Sequence, residues 1–362
     1  MATAQELSTP DRADWLPKRL LVTRSAMGFA HGRSIVECAA MRGIEVVALP
    51  GDRLALDLPD DPRRAYAAAK STLAVVVAPP SKRRLQPIAP SADWRVDLAE
   101  GCPAHCSYCY LAGSLKGPPI TRVYANLDEI LAGLPPYLGA GEVTSRNRAR
   151  RHEGTTFEAS CYTDPLALEP VTGSLSAMIA WFGQWDAPVQ LRFTTKFAQV
   201  APLLDIAHHG RTRMRASINP PQYARFEGGT APVAARLAAL RRMAMAGYPI
   251  GLTIAPIIAA PGWQAAYAAL LDDAAAALGG MVGIDLTIEL ITHRFTPGSK
   301  AVLDSWYPGS SLDMGTEGRT TKRTKFGSEK QVYDAATMRA LRGFFEERIA
   351  AVLPTARVLY WT

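Results

Sequence analysis

Short apolar runs alternate with longer amphipathic stretches along most of this chain. Near the N-terminus, 19–23 (Arg-Leu-Leu-Val-Thr), 44–49 and 73–78 read as strands. Residues 33–42 and 62–71 carry the helical spacing of apolar positions between them. A βαβαβ pattern this compact predicts a small parallel α/β unit, because parallel strands buried on both faces read as unbroken apolar runs. Residues 79–90 then break the pattern with prolines and the basic run Lys82-Arg83-Arg84, and the division falls there.

The alternation resumes and continues for some two hundred residues. Strands are expected at 94–99, 155–161, 189–195, 214–219, 250–257 and 284–291, with helices at 127–138, 172–184, 200–208, 231–246 and 264–278. Six β/α steps are too few for a closed eight-fold barrel and predict a partial (β/α)6 barrel, with its chemistry at the C-terminal ends of the strands. Beyond it, 312–333 is polar and basic with glycines at 315, 318 and 327, and reads as a β-hairpin or an extended basic loop. Residues 335–352 read as a final helix and 357–361 as a closing strand. The chain is therefore expected to divide into a flexible tail (1–19), an α/β unit with its connector (20–90), the barrel (91–310), and a basic hairpin with a terminal helix and strand (311–362).

Composition adds modest constraints. The chain has 362 residues, 48% hydrophobic, and 40 Lys and Arg against 33 Asp and Glu, a formal net charge of +7. That balance favours an anionic partner such as nucleic acid without requiring one. Five cysteines, three of them clustered, argue against a disulfide framework and for a reducing cytoplasm. No apolar run has the length of a signal peptide core or a membrane span, so no membrane association is expected.

The clustered cysteines carry the chemistry. Cys102, Cys106 and Cys109 lie in Gly-Cys-Pro-Ala-His-Cys-Ser-Tyr-Cys-Tyr, just after the first expected barrel strand. Three thiolates leave one iron of a [4Fe-4S] cluster without a protein ligand. An open iron can take a small molecule through nitrogen and oxygen, and S-adenosyl-L-methionine is the cofactor that matches. A zinc loop is the competing reading, but structural zinc sites are closed by four ligands, often in two paired sets. The spacing, with Tyr108 before the last cysteine, is similar to that of radical S-adenosylmethionine enzymes.

A closer resemblance follows from the residues around it. The cysteine loop, Arg122-Val-Tyr-Ala-Asn-Leu-Asp-Glu-Ile130, Phe157-Glu-Ala-Ser-Cys-Tyr-Thr-Asp164, Arg192-Phe-Thr-Thr-Lys196, Ser217-Ile-Asn219, Ala255-Pro-Ile257 and Glu289-Leu-Ile-Thr-His-Arg-Phe295 together resemble the spore photoproduct lyase family. The resemblance covers most of the chain from about residue 90. It implies a radical enzyme that repairs a methylene-bridged thymine dimer in DNA, with Cys102, Cys106 and Cys109 holding the cluster. A 5′-deoxyadenosyl radical would take hydrogen from C6 of the dimer, and Cys161 would return hydrogen to the opened product. Tyr108 and Tyr110 would relay the radical back to the cofactor, Lys196 would pair with the cofactor's carboxylate, and Ser217 would lie near its ribose.

The resemblance further implies that Thr163 and Asp164 contact the extruded bases. Arg319, Lys322, Arg323 and Lys325, with Phe326 as a wedge, would engage the DNA around them. An electron donor such as flavodoxin or ferredoxin is the implied protein partner. The chain departs from the family pattern at 139–152, a longer and more basic segment that reads as an extra phosphate-contacting loop or a flexible insertion, and at Tyr162 beside Cys161. Two other readings stay open. One is a radical enzyme acting on another lesion, RNA or a small molecule; the other is a cluster- or zinc-bearing protein that binds nucleic acid without turnover.

Overall fold

The computed structural model describes residues 15–54, 56–114, 119–323 and 329–362. The expected tail up to residue 14, Lys325 and Phe326 lie outside the described residues.

The larger sheet has eight strands. In spatial order they are Arg357–Trp361, Leu286–Thr292, Ile250–Ile257, Thr212–Ile218, Val189–Thr195, Thr155–Ala159, Ala92–Val96 and Gln86–Ile88. Every neighbouring pair is parallel except the last, where Gln86–Ile88 runs antiparallel along the edge. The six expected strands are all present within a few residues, and the closing strand joins them in parallel beside Leu286–Thr292. Their helix-facing residues, among them Phe157, Phe193, Ile218 and Leu252, are fully buried, while the alternating Glu158, Thr194, Ser217 and Thr253 face the cavity. The sheet curls around a cavity into which the C-terminal ends of its strands open.

A second, five-stranded sheet begins in the N-terminal unit, in the order Glu45–Ala48, Arg19–Val22, Thr72–Val76, Thr121–Tyr124 and Ala99–Glu100. Its last two strands come from beyond residue 90, so the proline-rich connector does not separate the two sheets. Thr121–Tyr124 runs parallel to Thr72–Val76, and Ala99–Glu100 pairs antiparallel with it. The cysteine loop is the excursion between those two strands. Its neck is closed at Gly101, where φ is +81° and a Cβ would stand 2.4 Å from the Ile120 carbonyl oxygen. Only glycine serves there.

Several helical expectations need correction. The helix expected at 127–138 ends at Ala132, and Pro135 and Pro136 allow only a further 3-10 turn. The one expected at 172–184 is present as Ser174–Gln184, and a further helix, Pro165–Thr172, precedes it, separated from it by Gly173 at φ +59°. The 200–208 stretch has helical spacing but forms only the 3-10 turn Ala201–Leu203, one turn being enough to bury Val200 and Leu203. The connector itself contains the short helix Pro80–Arg83 and the edge strand.

The basic 312–333 segment contains an antiparallel hairpin, Arg319–Arg323 with Glu329–Tyr333. It is tied to the barrel by a bridge between Phe295 and Gln331, at the same end as the cysteines. The basic 139–152 segment lies at the opposite end. Asp93 gathers it by accepting hydrogen bonds from the backbone of Val143 and Thr144 and from the Ser145 hydroxyl at 2.6–2.8 Å, and Arg357 contacts His152 where the last strand begins. It therefore caps the strand N-termini, remote from the cavity. Part of its charge is internally paired, Arg146 with Glu142 and Arg150 with Glu153.

Candidate active site

The cavity at the strand C-termini has a volume of about 530 Å³ and brings together residues far apart in sequence. Cys102, Cys106 and Cys109 form one wall, Cys161 to Asp164 another, and Lys196 with Ser217 a third.

All five cysteines are free, and the three of the loop are partly buried. Burial pushes the thiols of Cys102 and Cys106 up to about 12 and raises that of Cys109 as well. The protein alone supplies too little positive charge to ionise them, and bound iron would supply it. Three thiols on one wall of an open cavity can each take a separate iron and leave the fourth accessible, whereas structural zinc sites are closed by four ligands. The residues present therefore fit a [4Fe-4S] cluster.

Opposite the loop, Lys196 ends the strand Val189–Thr195. Its ammonium donates to the Ser217 hydroxyl at 2.8 Å, to Glu227 Oε1 at 2.9 Å and to the Ala255 carbonyl at 3.2 Å. It also lies 5.5 Å from the centre of the Tyr108 ring. Sequence reasoning missed Glu227, which is 2% exposed and gathers this corner. The carboxylate accepts from the Tyr108 hydroxyl and pairs with Arg236 as well as Lys196. Burial alone would raise its pKa, yet Lys196, Arg236 and the Tyr108 hydrogen bond hold it at about 2. Tyr108 is itself buried, and burial together with the nearby Cys106 and Glu227 keeps its phenol protonated. Tyr110 lies on the cavity wall, with the Arg294 guanidinium 5.3 Å from its ring centre.

Cys161 owes its place to a strained turn. The strand Thr155–Ala159 ends before it, and Ser160 takes φ +54°, a left-handed conformation unusual for a residue with a side chain. The Ser160 amide donates to the Val96 carbonyl at 2.7 Å and its hydroxyl accepts from the Leu98 amide at 3.0 Å, fixing the turn. Burial, reinforced by Glu158 and Asp97, raises the Cys161 thiol well above its usual pKa. A thiol held in this way keeps its hydrogen at neutral pH. Below it, Arg215 bridges two buried carboxylates, Glu158 and Glu289, on the cavity floor. Beside it, Arg95 pairs with Asp97 at 3.0 Å and stacks 4.3 Å over the Tyr162 ring.

Asp164 and Thr163 fare differently as substrate contacts. The Asp164 carboxylate caps the helix Pro165–Thr172 and accepts from the Thr195 hydroxyl and the Lys196 amide, each at 2.7 Å. It is engaged in holding Lys196 in place, a role the sequence did not suggest. Thr163 lines the cavity, and its hydroxyl is buried without a hydrogen-bond partner among the described residues.

The hairpin residues also divide. Arg319 donates to the His293 carbonyl and ring nitrogen at 3.1 and 3.0 Å and lies 4.5 Å from the Tyr333 ring centre. Lys322 and Arg323 are exposed. Lys322 stands opposite Lys330, whose pKa burial lowers, with Arg294 and Lys322 adding to the effect. Like charges set face to face are unfavourable unless an anion joins them. Arg294, on the rim of the cavity, was not singled out from the sequence.

A curled parallel sheet whose open end presents three thiols to a cation–hydroxyl pair places the chain among the radical S-adenosylmethionine enzymes. A family model described as "Spore photoproduct lyase" matches residues 15–362. The chain belongs to the spore photoproduct lyase family. A spore photoproduct lyase of Geobacillus sp. (strain Y412MC61) is 37% identical over 350 residues, 96% of this chain and 99% of the relative. That of Bacillus subtilis (strain 168) is 35% identical over 350 residues, again 96% and 99%. A solved spore photoproduct lyase variant with bound AdoMet and dinucleoside spore photoproduct superposes with a TM-score of 0.88 at 35% identity, covering 97% of this chain and 100% of that one. Another, complexed with dinucleoside spore photoproduct, gives the same score at 36% identity and the same coverage.

Proposed function

We propose that this chain is a radical S-adenosylmethionine lyase that reverses spore photoproduct, the methylene-bridged thymine dimer, in DNA. The observation that carries the reading is the convergence of Cys161, the three loop thiols and the Lys196–Ser217 pair on one cavity at the open end of the sheet. When bound, the [4Fe-4S] cluster and S-adenosylmethionine supply a 5′-deoxyadenosyl radical by one-electron reductive cleavage. Lys196 and Ser217 would hold the cofactor's carboxylate and ribose. Hydrogen removal from C6 of the dimer breaks the methylene bridge and leaves a thymine methylene radical. Cys161 then gives up its S–H hydrogen to that carbon, a transfer that its buried, protonated thiol favours. Tyr110 and Tyr108 line the return path for the radical, with Glu227 ready to take the Tyr108 proton.

The dimer must leave the duplex to reach the cavity. Thr163, with its unpartnered hydroxyl, is the contact we assign to the extruded bases. The Arg294, Lys322 and Lys330 group beside the mouth suits the phosphates. Lys322→Ala/Arg323→Ala should leave thermal melting unchanged, weaken binding to a lesion-bearing duplex and lower the salt slope of log K by about 2. Arg319→Ala should instead cost about 1–2 kcal/mol in melting, as a hairpin anchor loses its hydrogen bonds and ring contacts.

Partial-barrel chemistry of this kind needs one electron per activation, and flavodoxin or ferredoxin is the class of donor we assign. Free cysteines and an oxygen-sensitive cluster suit a reducing cytoplasm. No helix among the described residues is long and apolar enough to cross a membrane. The test is an anaerobic assay of iron–sulfur-reconstituted protein with S-adenosylmethionine, dithionite and a synthetic spore photoproduct dinucleotide, read by chromatography. Restored thymidylyl-thymidine is the expected result. Cofactor cleavage with the dimer untouched would redirect the reading to another substrate.

A further inference from the structure

The helix Pro62–Lys70 of the N-terminal unit turns one face toward the cysteine loop. Tyr66 and Lys70, four residues apart, project together. The Tyr66 hydroxyl reaches His105 Nδ1 at 3.1 Å. The Lys70 ammonium donates to the Cys102 carbonyl at 2.6 Å and to the Ala104 carbonyl. Lys70 is 7% exposed, and among the described residues no carboxylate pairs with it. The ammonium also lies 5.9 Å from the centre of the Tyr66 ring, and a buried ammonium held by two carbonyls and a ring is costly unless negative charge arrives nearby.

We infer that Lys70 is a positioning residue for the cluster: it braces the loop between Cys102 and Cys106 and, as a fixed cation beneath it, makes one-electron reduction of the bound cluster easier. Reduction adds a negative charge where the dielectric is low, and a cation fixed at that spot favours the reduced form. Net charge and hydrogen bonding around a cluster are among the factors that set its potential. The N-terminal unit thereby helps to set how readily the barrel is activated, although it contributes none of the expected cluster ligands.

The inference rests on the cluster reading, and the test separates the two. Wild-type, Lys70→Gln, Lys70→Met and Lys70→Arg proteins are reconstituted anaerobically, assayed for iron and sulfide, and titrated with dithionite and mediators while the reduced cluster is followed by electron paramagnetic resonance. The expected result is a more negative midpoint in Lys70→Gln, which keeps a donor for the two carbonyls but loses the charge, and a near wild-type midpoint in Lys70→Arg. Lys70→Met should show the same negative shift with lower iron content. A midpoint in Lys70→Gln equal to that of wild-type protein at equal loading would overturn the inference and leave the cluster reading intact. Failure of the wild-type protein to take up a cluster would overturn the cluster reading itself.

Discussion

Cys161→Ala will cleave S-adenosylmethionine and attack the dimer, yet yield little restored thymidylyl-thymidine. The substitution removes one sulfur from the cavity wall and leaves the three loop cysteines untouched. What disappears is the hydrogen that quenches the opened product. The thymine methylene radical will therefore react with other partners, and chromatography will show by-products in place of the repaired dinucleotide. Restored dinucleotide should become a minor species beside these by-products. Clean repair at the wild-type rate by Cys161→Ala would remove the thiol from the mechanism. Because burial keeps this thiol protonated, its supply of hydrogen should also persist well above the pH at which an ordinary cysteine ionises.

Glu227→Gln should have the largest effect on the folded protein. The carboxylate pairs with Lys196 and Arg236 at 2.9 and 2.7 Å and is almost fully buried. Its replacement leaves two buried cations without their counter-charge, a change that costs about 3–5 kcal/mol when a buried pair is broken from one side. The same change frees Lys196 and Tyr108, so affinity for S-adenosylmethionine should fall in whatever protein remains folded. The effect carries a pH signature. Glu227 is held at about 2, below the ordinary glutamate value of 4.5, so its contribution is complete above about 4.5 and lost as pH falls towards about 2. Melting curves of the two proteins should be well separated at neutral pH and converge through that acid window. A constant separation across it would argue that the loss comes from packing alone.

These two residues also mark how far the sequence could be read. Cys161 was legible because a thiol at the end of an apolar run, followed by Thr163 and Asp164, sits where a barrel presents its chemistry. Glu227 was not, because it lies in a short irregular segment with no periodicity and no spacing motif. Its place comes from the pairing of Glu227–Gly228 with His105–Cys106, a contact across more than a hundred residues. The barrel strands were legible because buried parallel strands leave nearly continuous apolar runs. Helices were less so, since prolines at 135 and 136 and the left-handed Gly173 cut apolar patterns that otherwise continue. Charge was less legible than apolar pattern: that Arg319 lies against the Tyr333 ring and that the 139–152 segment stands at the far end of the sheet are placements a run of basic residues does not encode.

The stitched order of the smaller sheet has a consequence for how this enzyme can be cut and recombined. Thr72–Val76 is flanked on one side by Arg19–Val22 and on the other by Thr121–Tyr124, so the cysteine loop is woven into the sheet that precedes it. A fragment beginning at 91 would carry Thr121–Tyr124 with a bare edge and Cys102 without its lysine brace. Deletion or swapping of the first ninety residues is thus a change to the catalytic loop, and a chimera that preserves the chemistry needs its crossover outside the span from Arg19 to Tyr124.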